Sequence, residues 1–119
     1  METKSKSPIV QRLKTSADDS VVLAEKYYRI ISSVNNLKLT NREIQLIAFA
    51  ATKGNISYAN IRKEFCESYK STPAAINNIV SKLKKISVFV KDGTKVKVNP
   101  IILLNFDKDI ILQISLIHG

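Results

Sequence analysis

The feature that most restricts the fold is a change of period near residue 86. Upstream, apolar residues recur at helical spacing through several short stretches; downstream, they alternate on either side of an Asp-Gly pair. The stretch just before the change carries Ile76, Ile79, Val80 and Leu83 at i, i+3, i+4 and i+7. It follows Ser71-Thr72-Pro73, an N-cap with proline at the first helical position, which predicts a helix over 73–85. Ala59, Ile61, Phe65 and Tyr69, with Arg62, Lys63, Glu64 and Glu67 between them, predict an amphipathic helix over 58–69. Asn55 and Ser57 restart the chain just before it.

Leu39-Thr40-Asn41-Arg42-Glu43 has the form of a capping box, in which the Thr40 hydroxyl and the Glu43 carboxylate satisfy each other's free backbone N–H groups. Ile44, Ile47, Ala48 and Ala51 then share one face, and Gly54 is a natural stop. Farther upstream, Asp18, Asp19 and Ser20 suit an N-terminus, and Ala24, Tyr27, Tyr28, Ile31 and Val34 predict a helix over 20–35 that ends at Asn35-Asn36. Past the change of period, Val88 and Val90, then Val96 and Val98, flank Lys91-Asp92-Gly93-Thr94, and Asp-Gly predicts the hairpin turn. Asn99-Pro100 closes the second strand, since proline cannot continue a ladder. The expected class is mainly α with a small β-hairpin (α+β).

The ends differ from this body. Residues 1–16 mix Lys4, Lys6, Arg12 and Lys14 with Ser, Thr and Pro8 and form a basic arm with no core face. Residues 101–119 contain Ile101, Ile102, Leu103, Leu104, Ile110, Ile111, Leu112, Ile114, Leu116 and Ile117, too many apolar groups to leave in water. That segment suits a strand or a buried helix equally, and is expected to pack on the domain or on a partner. The domain itself spans 17–100.

Charge narrows the function. The formal net charge is +9, which on a small domain favours polyanions, nucleic acid before an anionic membrane surface. It is concentrated: residues 71–99 hold six lysines against Asp92 alone. Cys66 is the only cysteine, so an intrachain disulfide and a cysteine-rich metal site are both excluded, and its place beside Phe65 suits a small buried or half-buried thiol. The sole histidine is His118, the acidic pairs Asp18-Asp19 and Asp107/Asp109 flank different elements, and three glycines leave no phosphate-cradling loop. No catalytic site, metal or cofactor is expected. The first twenty residues lack the apolar run of a signal peptide, and no stretch of about 18 uncharged apolar residues occurs, so a cytoplasmic, non-membrane protein is expected. Tyr27, Tyr28, Phe49, Tyr58, Phe65 and Tyr69 fall at helical spacings and are expected in or beside the core rather than stacked on bases.

Two helices joined by a tight turn and followed at once by a basic hairpin is the element order of a winged helix-turn-helix. On Leu39-Thr40-Asn41-Arg42-Glu43, the Ser71 to Lys85 helix with its Ser81-Lys82-Leu83 end, and the Val88 to Val98 hairpin, the segment from Leu39 to Pro100 resembles winged-helix DNA-binding domains, especially small regulators and replication proteins of bacteria, plasmids and phages. The resemblance lies in order and pattern, and implies a fold more directly than an activity. It makes 73–85 the recognition helix. With its apolar residues turned inward, the opposite face presents Asn77, Asn78, Ser81, Lys82 and Lys85. Asn suits adenine, Ser either kind of base edge, and Lys guanine or phosphate. Thr72 places free N–H groups and the positive end of the helix dipole near a phosphate, and Lys91, Lys95 and Lys97 would grip the backbone beside the same helix. A solvated polar face would carry the same residues.

The expected function is thus binding of duplex DNA, by a transcription regulator or replication-associated factor, acting as a homodimer or larger assembly on paired half-sites. The site would be the bacterial host cytoplasm or nucleoid. The rival is a structural or assembly component of a phage particle, in contact with phage structural proteins and located in the virion.

Overall fold

Among the described residues, four helices precede one hairpin: α1 (Asp19–Val34), α2 (Asn41–Lys53), α3 (Ala59–Tyr69), α4 (Pro73–Lys85), β1 (Phe89–Asp92) and β2 (Lys95–Val98), with a single 3-10 turn at Pro100–Ile102. The computed structural model describes residues 19–113, 115, 117 and 118. The expected basic arm over 1–16, the Asp18 cap and the apolar Ile114 and Leu116 lie outside the described residues.

Local chemistry accounts for the helix ends. The capping box forms as expected: the Glu43 N–H donates to Thr40 Oγ1 at 3.2 Å, and the Thr40 N–H donates to Glu43 Oε1 at 2.8 Å. Gly54 closes α2 at φ 95°, a left-handed conformation that glycine takes without penalty. Thr72 caps α4 by accepting from the Ala75 N–H at 3.1 Å, and Pro73 opens its first turn. α2 is the central element, buried at Ile44 and along Leu46, Ile47, Ala48, Phe49 and Ala50, with α1, α3 and β2 packed around it. Tyr28 of α1, Phe65 of α3, Ile76 and Leu83 of α4, and Phe89 and Val98 of the hairpin complete the core. Phe49 meets Phe65 edge to face at 5.3 Å between ring centroids, and Phe65 stacks on Tyr69 at 4.6 Å.

The hairpin departs from the expected alternation. Its register pairs Phe89 with Val98, Val90 with Lys97, Lys91 with Val96 and Asp92 with Lys95. Opposed residues share a face, so Phe89 and Val98 point into the core together, while Val90 shares the outer face with Asp92, Lys95 and Lys97. Val88 is buried too, but it precedes the strand, after Ser87 at φ 63°. That bend puts Val88 and Phe89 both inward and breaks the period of two. The turn also differs: its two central residues are Gly93 and Thr94. Gly93 lies at φ 63° and Thr94 is not left-handed, the pattern of a type II′ turn with glycine first.

A short loop is hydrogen-bonded to the hairpin. Between α2 and α3, the Ile56 N–H donates to the Val96 carbonyl at 2.9 Å, and the Val96 N–H donates to the Ser57 hydroxyl. Ile56 is fully buried beneath this contact.

After Ile102 the chain takes neither of the expected forms. Among the described residues of 103–118 there is no helix or strand. Phe106 anchors the segment, with its ring 5.7 Å from Tyr27 and 5.6 Å from Tyr28, while Asp107 accepts from Ser20 Oγ at 2.6 Å and Tyr28 Oη donates to the Ile102 carbonyl at 2.8 Å. Ile102 and Ile110 pack partly on the core, but Ile101, Ile111 and Ile117 remain 87%, 95% and 87% exposed. One aromatic anchor, rather than the run of aliphatic residues, ties the segment down.

Candidate nucleic-acid interface

Burial of Ile76, Val80 and Leu83 orients α4, and the opposite side carries Asn77, Asn78, Ser81, Lys82 and Lys85, all exposed. Their circumstances differ. Asn78, Ser81 and Lys85 have no hydrogen-bond or ion-pair partner among the described residues and form the open centre of the face. Asn77 and Lys82 sit on its two flanks, each engaged with a different helix.

Lys82 Nζ lies 2.8 and 3.0 Å from the two carboxylate oxygens of Glu43, which is only 6% exposed. Burial pushes the Glu43 carboxyl up, but hydrogen bonds from Lys82 and Thr40 and the charge of Lys82 outweigh it and hold the group below its ordinary range. Glu43 therefore serves the capping box and ties α4 to the first turn of α2. Lys82, expected at a base edge or phosphate, has its charge directed at this carboxylate. Asn77 Oδ1, on the other flank, accepts from Arg62 Nη1 of α3 at 2.6 Å.

The hairpin lysines divide in the same way, because the register places Lys91 on one face and Lys95 and Lys97 on the other. Lys91 is exposed and unpaired among the described residues. Lys97 Nζ is 3.2 Å from Asp92 Oδ2, and Lys95 Nζ lies 5.6 Å above the Tyr58 ring. Tyr58 is 48% exposed at the start of α3 and not part of the core, a correction to its expected place. The hairpin thus meets α3 through Lys95 and Tyr58, and α3 meets α4 through Arg62 and Asn77. Thr72 is exposed, and its hydroxyl oxygen accepts from the Ala75 N–H in the cap.

Arg62 and Glu43 are the residues that sequence reasoning missed as parts of this site. Both stand in helical patterns that assign them to a solvent face and a cap, and neither partner is close in sequence. The nearest signal is that Arg62 and Tyr58 are four apart, on one helix face.

Among the described residues no group of three or more His, Cys, Asp or Glu side chains could hold a metal ion, and no helix is long and apolar enough to cross a membrane. Cys66 is half-buried. Comparison of the chain with known protein families, with curated proteins and with solved structures returns no match.

Proposed function

We propose that this protein binds duplex DNA as a winged helix-turn-helix, with α3 and α4 as the helix pair, α4 in the major groove and the hairpin on the backbone as the wing. It acts as a transcription regulator or a replication-associated factor, without enzymatic activity or cofactor, in the cytoplasm. The observation that carries this reading is the open face of α4. Asn78, Ser81 and Lys85 are exposed without a hydrogen-bond or ion-pair partner among the described residues, in a segment where six lysines face one acid. Hydrogen-bonding groups left unused beside concentrated positive charge suit base edges flanked by phosphates.

The test is duplex affinity measured across salt concentrations. Replacing Lys91, Lys95 and Lys97 by Ala should weaken binding to all sequences alike and flatten the salt dependence by about one unit of slope per lost phosphate contact. Lys91, which has no ion-pair or ring partner among the described residues, should account for the largest share. A wild-type chain without salt-sensitive duplex binding would overturn the reading.

A second reading is favoured by the exposed Ile101, Ile111 and Ile117. In it these side chains bury against other copies or other structural proteins of a phage particle. Pairing of two copies also fits the DNA-binding reading, through paired half-sites. Sedimentation across micromolar concentrations separates the cases: a dimer supports paired half-sites, open-ended assembly supports the particle, and a stable monomer supports neither.

A further inference from the structure

A groove of about 440 Å³ opens between the first turns of α1, the C-terminal halves of α2 and α3, and the C-terminal segment. Among the described residues, none of α4 or the hairpin lines it. Phe49 and the 37% exposed Val22 give it apolar surface, and its charged lining is Glu25, Glu64 and Asp107 against Lys53 alone. The chain carries 19 basic and 10 acidic residues, so a place where carboxylates outnumber cations runs against its overall charge.

These carboxylates keep acceptors to spare. Lys53 Nζ lies 2.8 Å from Glu64, Arg29 lies 3.6 Å from Glu25, and Ser20 Oγ donates to Asp107 at 2.6 Å. An ionised carboxylate accepts at about four lone-pair sites, so each can take a further cation.

The matching chemistry lies at the N-terminus of the same chain. Residues 1–16 hold Lys4, Lys6, Arg12 and Lys14 against Glu2 alone, with Ile9, Val10 and Leu13 among them. The groove offers the converse, apolar surface beside carboxylates. Ser20, which lines it, is six residues from Lys14, a span that an extended chain covers in at most about 20 Å. A tether this short gives an effective concentration on the order of millimolar. Exposed ion pairs are individually weak, so a separate cationic peptide would rarely occupy the groove, whereas a tethered arm of millimolar affinity is about half docked.

We propose that this groove is the docking site of the chain's own basic arm, residues 1–16, and that duplex DNA competes for the same four cations. Docking stands on the groove and the arm; the competition rests on the proposed DNA binding. A duplex presents one negative charge per roughly 1.7 Å of its axis, a denser line than three carboxylates with a lysine among them, so the arm passes to the duplex once the protein is bound.

The experiment is paramagnetic relaxation in the full chain, with Cys66→Ser to remove the half-buried thiol and Ser7→Cys to carry a nitroxide on the arm. At low salt the amide signals of Val22, Thr52 and Ser68, all in the groove, should broaden, while those of Asn78 and Ser81 on α4 stay sharp. The broadening should be lost at about 1 M salt, where the screening length is about 3 Å, and lost when Glu25→Gln, Glu64→Gln and Asp107→Asn are combined. If that combination fails to fold, replacing Lys4, Lys6, Arg12 and Lys14 by Gln, which leaves every groove residue in place, should have the same effect. Groove signals that stay sharp at low salt, or broadening that survives both high salt and loss of the arm cations, overturns docking. An equal mixture of spin-labelled chains with isotope-labelled, spin-free chains should show no broadening; broadening there places the arm on a second copy and overturns the intramolecular form. Added duplex should restore sharp groove signals. A duplex that binds while the broadening persists overturns the competition and leaves docking and the DNA-binding reading intact. A chain that does not bind duplex overturns the competition together with that reading, and docking then stands or falls on the spin-label result alone.

Discussion

Replacing Lys82 by Ala removes the cation from a carboxylate that cannot move into water. Glu43 is 6% exposed and accepts from the Thr40 N–H and from Lys82 Nζ. A hydrogen bond to a charged group contributes about 1.5–3 kcal/mol. The Lys82 side chain is 46% exposed, so water replaces part of its contribution, and a loss near the lower end, about 1.5 kcal/mol, is expected. At roughly 4 °C per kcal/mol for a domain of this size, Tm should fall by about 6 °C at neutral pH.

The pH dependence identifies the cause. In the wild type the folded Glu43 carboxyl is held below its ordinary range, so its contribution is present above the unfolded pKa and lost as pH falls through the folded one. Without Lys82 burial regains influence, the folded carboxyl rises, and protonation relieves the stranded charge. The deficit of Lys82→Ala should therefore be largest near pH 7 and close as pH falls through the carboxylate range. In a Glu43→Gln background the same substitution should cost little. Thermal and urea unfolding followed by circular dichroism measure all four proteins of the cycle. A deficit that stays constant from neutral to acid pH, or survives in the Gln background, would refute the ion-pair account and assign the effect of Lys82 to its place in the last turn of α4. Duplex affinity of the folded variant should be nearly unchanged, because that ammonium is already occupied.

Gly93→Ala meets no neighbouring atom but forces a side chain to φ 63°, so a destabilisation of about 1–2 kcal/mol in urea unfolding is expected, from backbone strain alone. Phe106→Ala removes the anchor of the C-terminal segment and should cost about 3–5 kcal/mol if the segment is integral to the core; amide exchange should then rise along 103–113. A cost under about 1 kcal/mol would show that Phe106 is peripheral. Burial, with a smaller part from Tyr27, pushes the Tyr28 phenol well above its ordinary range. The stability it lends is complete below the unfolded phenol pKa and lost as pH rises towards the folded value. In an alkaline titration its phenolate absorbance should appear only with loss of the helical signal. Thr72→Ala deletes the α4 cap and should cost about 1 kcal/mol by thermal unfolding.

The helices were legible because their signals are local. The Thr40/Glu43 box, Gly54 and Thr72-Pro73 act within one turn of the residues they cap, and the periods of α1 to α4 need no knowledge of what they pack against. The hairpin was legible as a hairpin but not in its facing, since the left-handed Ser87 shifts the inward residue to Phe89, and valines at 88, 90, 96 and 98 suggest a different alternation. The candidate site is the outer face of α4, whose exposure the helical period foretold. Its division into open and engaged residues was not foretold, because Lys82 meets Glu43 and Val96 meets Ser57, each across 39 positions, and Arg62 meets Asn77 across 15. Composition made residues 101–118 apolar but could not show that Phe106, between polar residues, would take the buried place.

The clasp between Ile56 and Val96 also sets an order of loss on warming. A two-stranded hairpin is marginal by itself in water, and this one has four residues in each strand. It persists because Phe89 and Val98 are sunk in the helical core and because one backbone contact with the segment before α3 holds its inner strand. Among the described residues the outer edge of β1 has no strand beside it. Opening the clasp requires less than unfolding the helices, and such sub-global openings are ordinary below the melting temperature. With Phe89 and Val98 still held in the core, the turn end that carries Lys91 and Lys95 should therefore loosen first, and its amide exchange should rise with temperature before the helical signal of α1 to α4 falls.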